Sequence, residues 1–301
     1  MFEWLVDPCL GFLRKELALN ELVKTHNNML VESFIAMFSS VLEEMMSNAD
    51  GYTIGKLVLV GLEEPEDVDF EALFVFSLVW SVGASLNAEG RKRFDAFLKD
   101  LVQGGKDDGA RTITVPFPAS SSIYDVTYSP SENAWRTWMD TIDEGEAFVM
   151  PTNVASFSDI VVPTKFTAQF RYLIALYITH GHASLAVGPT GSGKSANIRH
   201  LLERKFAATD QSIVPIILNF SATTTSDHLE SALDQKLTKR RRGVYGPAVG
   251  GRCFCFLDDM NLPVSPSGAR EEEGSGGCEA RAPAYRVCNE LTLPLSAPLT
   301  V

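Results

Sequence analysis

The chain has 301 residues, 45% of them hydrophobic, and a formal net charge of −12 at pH 7. That length holds roughly two domains and the apolar content is that of an ordinary globular protein, while the acidic balance argues against a general nucleic-acid binder or a protein held on an anionic membrane surface. Met1-Phe2-Glu3-Trp4 lacks the basic start of a secretory signal, and Cys9, Cys253, Cys255, Cys278 and Cys288 form no paired or metal-type framework, so a reducing, intracellular compartment is expected.

The first hundred residues read as helical. Trp4, Leu5, Cys9, Phe12 and Leu13 mark one amphipathic stretch with Pro8 near its start. From Leu30 to Met46 the set Leu30, Phe34, Phe38, Val41, Leu42 and Met45 keeps the helical period, with the methionines as core filler rather than a metal or cofactor box. Glu63-Glu64-Pro65-Glu66-Asp67 is an acidic lead-in of the kind a helix N-terminus favours. It opens on the uncharged run Ala72 to Leu86. A bilayer span takes about twenty residues, so this shorter run predicts a helix buried on most sides. Phe94, Phe97, Leu98 and Leu101 form another helical face. The preceding Arg91, Lys92 and Arg93 suit a solvated helix start, with a phosphate contact as the alternative.

Gly104-Gly105-Lys106-Asp107-Asp108-Gly109 is a linker by composition. Arg111 to Glu132 reads as an ordered but irregular connection, and Trp135, Trp138, Met139 and Ile142 sit at the spacing of a short docked helix. Phe170, Leu173, Ile174 and Tyr177 predict a helix that Gly181 ends, and the flanking His180 and His182 suit a polar turn better than a metal site. Ala183 to Val187 is a short apolar run expected as a buried strand.

Gly188-Pro189-Thr190-Gly191-Ser192-Gly193-Lys194-Ser195 follows, which is G-x-x-x-x-G-K-S, the phosphate-binding P-loop. Its glycines let the backbone turn and approach phosphate oxygens. Consecutive amide N–H groups and the positive end of the next helix then cradle the phosphates. Lys194 reaches the β- and γ-phosphates, and the Ser195 hydroxyl completes a Mg²⁺ shell. Ile198, Leu201 and Leu202 give the following helix its apolar face. A second buried strand is expected at Ile213 to Leu218, and Thr225-Ser226-Asp227 caps a helix carrying Leu229, Leu233 and Leu237. Lys239-Arg240-Arg241-Arg242-Gly243 reads as a solvated helix end or a subunit interface rather than a nucleic-acid patch. In Cys253-Phe254-Cys255-Phe256-Leu257-Asp258-Asp259 an apolar strand runs into paired carboxylates, the second half of a P-loop site. Asp258 would hold Mg²⁺, and Asp259 stands where a base polarises the attacking water. Cys253 and Cys255 read as small buried residues on that strand. From about Ser265 the composition is that of a disordered tail.

Together these elements predict an α/β P-loop fold with a partial parallel sheet, preceded by an all-α region. The expected segments are a helical region over 1–103, a linker over 104–164, a nucleotide-binding part over 165–264 and a divergent tail over 265–301. Several stretches resemble dynein heavy chains, most closely the axonemal type: Trp4-Leu5-Val6-Asp7-Pro8, Phe76-Ser77-Leu78-Val79-Trp80-Ser81, Val162-Pro163-Thr164, the P-loop, Leu218-Asn219-Phe220-Ser221-Ala222, Lys239 to Pro247, and Phe256 to Pro263. The resemblance implies that the fold is of AAA+ type and the helical region lid-like. It implies the end of a second AAA+ module followed by the start of a third, which in dyneins is similar to a regulatory ATP site that gates microtubule release. It implies ATP and Mg²⁺ as ligands, with Gly188 to Ser195 on the phosphates, Ser195 and Asp258 on the metal, and Asp259 as catalytic acid where many AAA+ proteins have Glu. It further implies intermediate and light chains, microtubules and neighbouring AAA+ modules as partners, no nucleic acid or membrane, and a cytoplasmic, cytoskeletal place in the axoneme of a cilium. In AAA+ sheets a fourth strand lies between the first and the third. No counterpart of it stands in Ser265 to Val301, so a truncated, non-catalytic fragment acting as a scaffold is the alternative expectation.

Overall fold

The uncharged run that starts at Ala72 forms a helix, and the first half of the chain packs around it. The computed structural model describes residues 2–18, 20–48, 69–103, 113–118, 120–129, 132–143, 161–206, 213–241, 244–247 and 251–262. The acidic lead-in Glu63–Asp67, the Gly104–Gly109 linker and the tail from Ser265 lie outside the described residues. Two compact units divide the chain, Met1–Ser192 and Gly193–Val301.

In the first unit, a wide π-type turn over Phe2–Val6 leads into α1 (Asp7–Glu16), followed by α2 (Asn27–Asn48), α3 (Phe70–Ser81) and α4 (Ala88–Val102). Asp69 caps α3, its carboxylate accepting from the Glu71 and Ala72 amides at 2.8 and 3.2 Å. Every residue from Ala72 to Ser81 is buried, as an all-round apolar helix requires. The Ser77 and Ser81 hydroxyls donate to the carbonyls one turn back, at 2.8 and 2.7 Å, so neither is left unpaired. The helix ends at Ser81, short of Leu86, and among the described residues no helix is long and apolar enough to cross a membrane. Gly83 follows. A Cβ there would meet Tyr124 Oη at 2.5 Å and the Val79 carbonyl at 2.8 Å, so only glycine lets Tyr124 close over the helix end and donate to the Gly83 carbonyl.

The predicted faces of the other helices point into the same core. Leu5, Cys9 and Leu13, Leu30, Phe34 and Val41, and Phe94 and Leu98 are all buried in one cluster. Phe12 of α1 stacks on Phe97 of α4, with centroids 4.1 Å apart. Burial pushes the Cys9 thiol far above its ordinary range, which makes it packing rather than chemistry. The basic start of α4 is partly engaged rather than simply solvated. Arg91 donates to the Ala84 carbonyl at 3.0 Å and lies over the Tyr124 ring, while Arg93 pairs with Glu16.

The described residues from Ile113 to Asp125 are irregular, as expected of the connection, but the stretch from Val126 to Asp143 corrects the expectation of further irregular chain and a docked helix. An antiparallel hairpin forms from β1 (Val126–Ser129) and β2 (Ala134–Thr137), with Tyr128 opposite Trp135 and a left-handed Asn133 in its turn. Trp135 is therefore a strand residue, and the helix α5 covers only Asp140–Asp143. Both indoles still anchor. Trp135 donates to the Val115 carbonyl at 2.9 Å, and the buried Trp138 donates to the Tyr124 carbonyl at 3.2 Å. Helix α6 (Lys165–Thr179) starts at a Thr164–Thr167 capping box and ends before Gly181 at φ 75°. It packs on α2 through Tyr172–Glu44 at 3.2 Å and His180–Glu43 at 2.9 Å, so His180 has a partner beyond the turn it caps.

The second unit contains α7 (Lys194–His200), continued by a π-helical turn over Leu201–Phe206, then β3 (Ile213–Asn219), α8 (Ser226–Lys236), β4 (Thr238–Arg241), β5 (Val244–Gly246) and β6 (Arg252–Asp258). Strands β3 and β6 pair in parallel, from Ile213 opposite Arg252 to Asn219 opposite Asp258. Parallel neighbours require a long crossover, here α8 and the β4–β5 hairpin. That hairpin is the second correction: Thr238–Arg241 is a strand, not a helix end. The sheet is also less buried than expected. Ile216 is buried, but Val214, Ile217, Phe254 and Phe256 are half-buried, Cys253 is half-buried and Cys255 is exposed. Two strands are described in this sheet, too few to offer both faces to packed neighbours.

Candidate nucleotide and metal site

The run before the P-loop overturns one expectation. Ala183 to Val187 has no strand structure, and Leu185 and Val187 are 72% and 48% exposed. An extended segment becomes a strand only when a neighbour takes its amides and carbonyls, and no described strand pairs with it. The loop itself keeps its turns. Ser192 Oγ donates to the Pro189 carbonyl at 2.8 Å, and Gly191 lies at φ 81°, a left-handed conformation that favours glycine.

In the second unit, Gly193 also lies at φ 81° and serves as N-cap of α7, which starts at Lys194. Its carbonyl accepts two bonds from Asn197, at 3.0 Å from the amide and 2.9 Å from Nδ2. Asn197 is only 4% exposed, so this grip on the glycine is built in. Ile198, Leu201 and Leu202 are buried as the helical spacing predicts. They fix the face of α7 that carries Ser195.

Ser195 and Asp258, 63 positions apart, are brought together. The Ser195 hydroxyl donates to Asp258 Oδ1 at 2.7 Å. Asp258 is the last residue of β6, and its register partner on β3 is Asn219. Arg199 Nη2 reaches both, at 2.5 Å from Asn219 Oδ1 and 3.2 Å from Asp258 Oδ2. The Asp258 carbonyl accepts from the Phe220 amide at 2.9 Å, continuing the ladder past the strand end. Asp259 is exposed and left-handed at φ 57°, turning the chain out of the sheet. Aspartate tolerates that backbone better than a longer side chain does.

The donor set fits Mg²⁺. A hydroxyl and one carboxylate are hard oxygen ligands, and Mg²⁺ in nucleotide sites takes one or two such groups beside phosphates and water. No group of three or more His, Cys, Asp and Glu converges among the described residues. The P-loop, Ser195 and Asp258 were visible in the sequence. Asn197, Arg199 and Asn219 were given no role there. The signal for Arg199 was present, since it stands four residues after Ser195, on the same helix face.

Two sequence families match. The dynein heavy chain AAA lid domain covers residues 1–140, and the P-loop containing dynein motor region covers residues 149–267. Human dynein axonemal heavy chain 3 is 34% identical over 273 residues, 88% of this chain and 6% of that protein. Mouse dynein axonemal heavy chain 12 is 32% identical over 87% of this chain and 8% of its own length. The Chlamydomonas reinhardtii dynein-1-alpha heavy chain of the flagellar inner arm I1 complex is 32% identical over 64% of this chain. The chain thus spans less than a tenth of the length of these relatives.

Proposed function

Since the chain belongs to the dynein heavy chain family, we propose that it supplies an ATP- and Mg²⁺-binding segment of an axonemal motor, at a regulatory rather than the main hydrolytic site. The observation that carries this is the Ser195–Asp258 hydrogen bond at 2.7 Å, which supports one metal ligand set built from the two halves of a P-loop motif. Residues 1–103 would be the lid of a second AAA+ module, and residues from about 165 the nucleotide-binding part of a third. The parent motor would move toward microtubule minus ends in the axoneme of cilia or flagella, with intermediate chains, light chains and adjoining AAA+ modules as partners.

Each residue then has a task. The amides of Gly188 to Gly193 cradle phosphate, Gly191 and Gly193 through their left-handed backbone. Lys194, first residue of α7, neutralises the outer phosphates. Ser195 and Asp258 would hold Mg²⁺, which supplies charge neutralisation of the phosphoryl oxygens. Asp259 would take the base position, one methylene shorter than the Glu of many AAA+ proteins, so turnover is expected to be slow.

A second reading is a scaffold that keeps the family surfaces and hydrolyses nothing. The exposure of Leu185 and Val187 favours it, because a loop hung from an unpaired segment is poorly preorganised. Lys194→Ala separates the two. The wild-type chain should melt higher in Mg-ATP, by about 2.7 kcal/mol of stabilisation at a hundred times Kd, and the variant should lose that gain. A wild-type melting temperature indifferent to Mg-ATP would leave only the scaffold.

A further inference from the structure

Arg199 is assigned nothing by the P-loop motif, yet it touches both strand ends that build the metal side of the site. One nitrogen, Nη2, donates to Asn219 Oδ1 at 2.5 Å and to Asp258 Oδ2 at 3.2 Å. Those two acceptors sit opposite each other in the parallel β3–β6 register. Ser195, one turn earlier on the same helix, donates to the other oxygen, Oδ1, at 2.7 Å. The Asp258 carboxylate is therefore held from α7 at both oxygens, and its side chain is 15% exposed against 39% for Arg199.

We propose that Arg199 is a positioning residue for Asp258: by holding Oδ2 against the β3 end, it keeps Oδ1 turned to the Ser195 hydroxyl where both face a shared Mg²⁺. The proposal rests on the reading of Ser195 and Asp258 as metal ligands. Among the described residues no other side chain holds Oδ2, so without the guanidinium only the Ser195 bond at Oδ1 resists rotation of the carboxylate about its Cβ–Cγ bond. Two effects of Arg199 oppose each other. Its charge lowers the pull of Asp258 on a cation, while its hydrogen bond fixes the ligand's direction. Outer partners that orient metal ligands typically change metal affinity by about 10- to 100-fold when removed, so orientation is expected to win.

The experiment uses the whole 301-residue chain and compares ATP affinity by calorimetry in excess Mg²⁺ and in EDTA, with circular-dichroism melts as the folding control. Arg199→Met should weaken ATP binding in Mg²⁺ by about 10-fold and leave the affinity in EDTA unchanged. Arg199→Lys, which keeps the charge but loses the planar fork, should fall between the two. In an Asp258→Asn background, Arg199→Met should add less than about a twofold change, because residues that act through one another are non-additive. An Arg199→Met chain that binds Mg-ATP as the wild type does, or more tightly, overturns the proposal. So does equal weakening in EDTA, which marks a merely structural residue, or full additivity with Asp258→Asn. If the wild type itself gains nothing from Mg²⁺ and Lys194→Ala matches it, the metal-site reading falls and the proposal falls with it.

Discussion

Helix α3 and the strand pair β3–β6 draw on similar apolar side chains and reach different ends. Ten consecutive residues of α3, Ala72 to Ser81, are buried. Along β3 and β6 most described side chains are half-buried, Asn219, Arg252 and Cys255 are exposed, and Ile216 is the buried exception. The cause is backbone chemistry more than hydrophobicity. A helix satisfies its own amides and carbonyls, and α3 packs against α2 and β1 within the core cluster it shares with α1 and α4. A strand's faces are covered only by helices or a second sheet packed on them, and a pair of strands offers a narrow platform for such a layer. Sequence hydrophobicity thus states a demand for burial, and topology decides whether it is met.

The contrast breaks most sharply by truncating one aromatic in the helical core that α3 shares with α4 and one in the strand pair. Phe94 is fully buried, on the core face of α4. Phe94→Ala should cost about 3–5 kcal/mol, measured by urea unfolding of the first unit's circular-dichroism signal. Phe256 on β6 is half-buried, so Phe256→Ala should cost about 1 kcal/mol, half or less of what full burial of such a side chain contributes. Equal losses at the two sites would mean that the strand pair is packed as tightly as the helices, and the comparison would collapse.

The same contrast explains what was legible beforehand. Phe94, Phe97, Leu98 and Leu101 repeat at a helical period over two turns, and such a pattern survives any tertiary context. The P-loop and the carboxylate after Leu257 were legible because each position has a chemical reason. The β1–β2 hairpin was not. Trp135, Trp138, Met139 and Ile142 fall at helical spacing by coincidence, since β2 supplies the first and the turn and α5 supply the rest. Four-residue strands are too short for alternation to outvote that pattern. Ala183 to Val187 failed for the opposite reason: its composition suits a strand, but strand formation depends on a partner that the local sequence cannot show. Arg199 lay outside the reading because its role depends on the register that sets Asn219 beside Asp258.

The smallest expected effect at neutral pH, and the one that most sharpens the comparison, is alkaline stability. Burial raises the phenol pKa of Tyr124, Tyr172 and Tyr177 and the thiol pKa of Cys9, all in the first unit. In the unfolded chain these groups ionise in their ordinary ranges, about 10 for tyrosine and about 8.5 for cysteine. Above those values the unfolded state has lost protons that the folded state retains, so stability falls as pH rises. Below them the groups are neutral in both states and contribute no slope. The first unit should therefore hold its stability to about pH 8.5 and then lose it progressively, at about 1.4 kcal/mol per pH unit for each group caught between its two pKa values. In the second unit Cys253 is the group with a raised pKa among the described residues, and it is only half-buried, so its decline should be shallower. Urea unfolding from pH 7 to 11 with separate probes for the two units measures both slopes. Tyr172→Phe, which removes the phenol that donates to Glu44 at 3.2 Å, should flatten the first slope by one proton's worth above pH 10. Parallel slopes in the two units, or a first slope unmoved by Tyr172→Phe, would show that the buried phenols do not set the alkaline limit of the helical half.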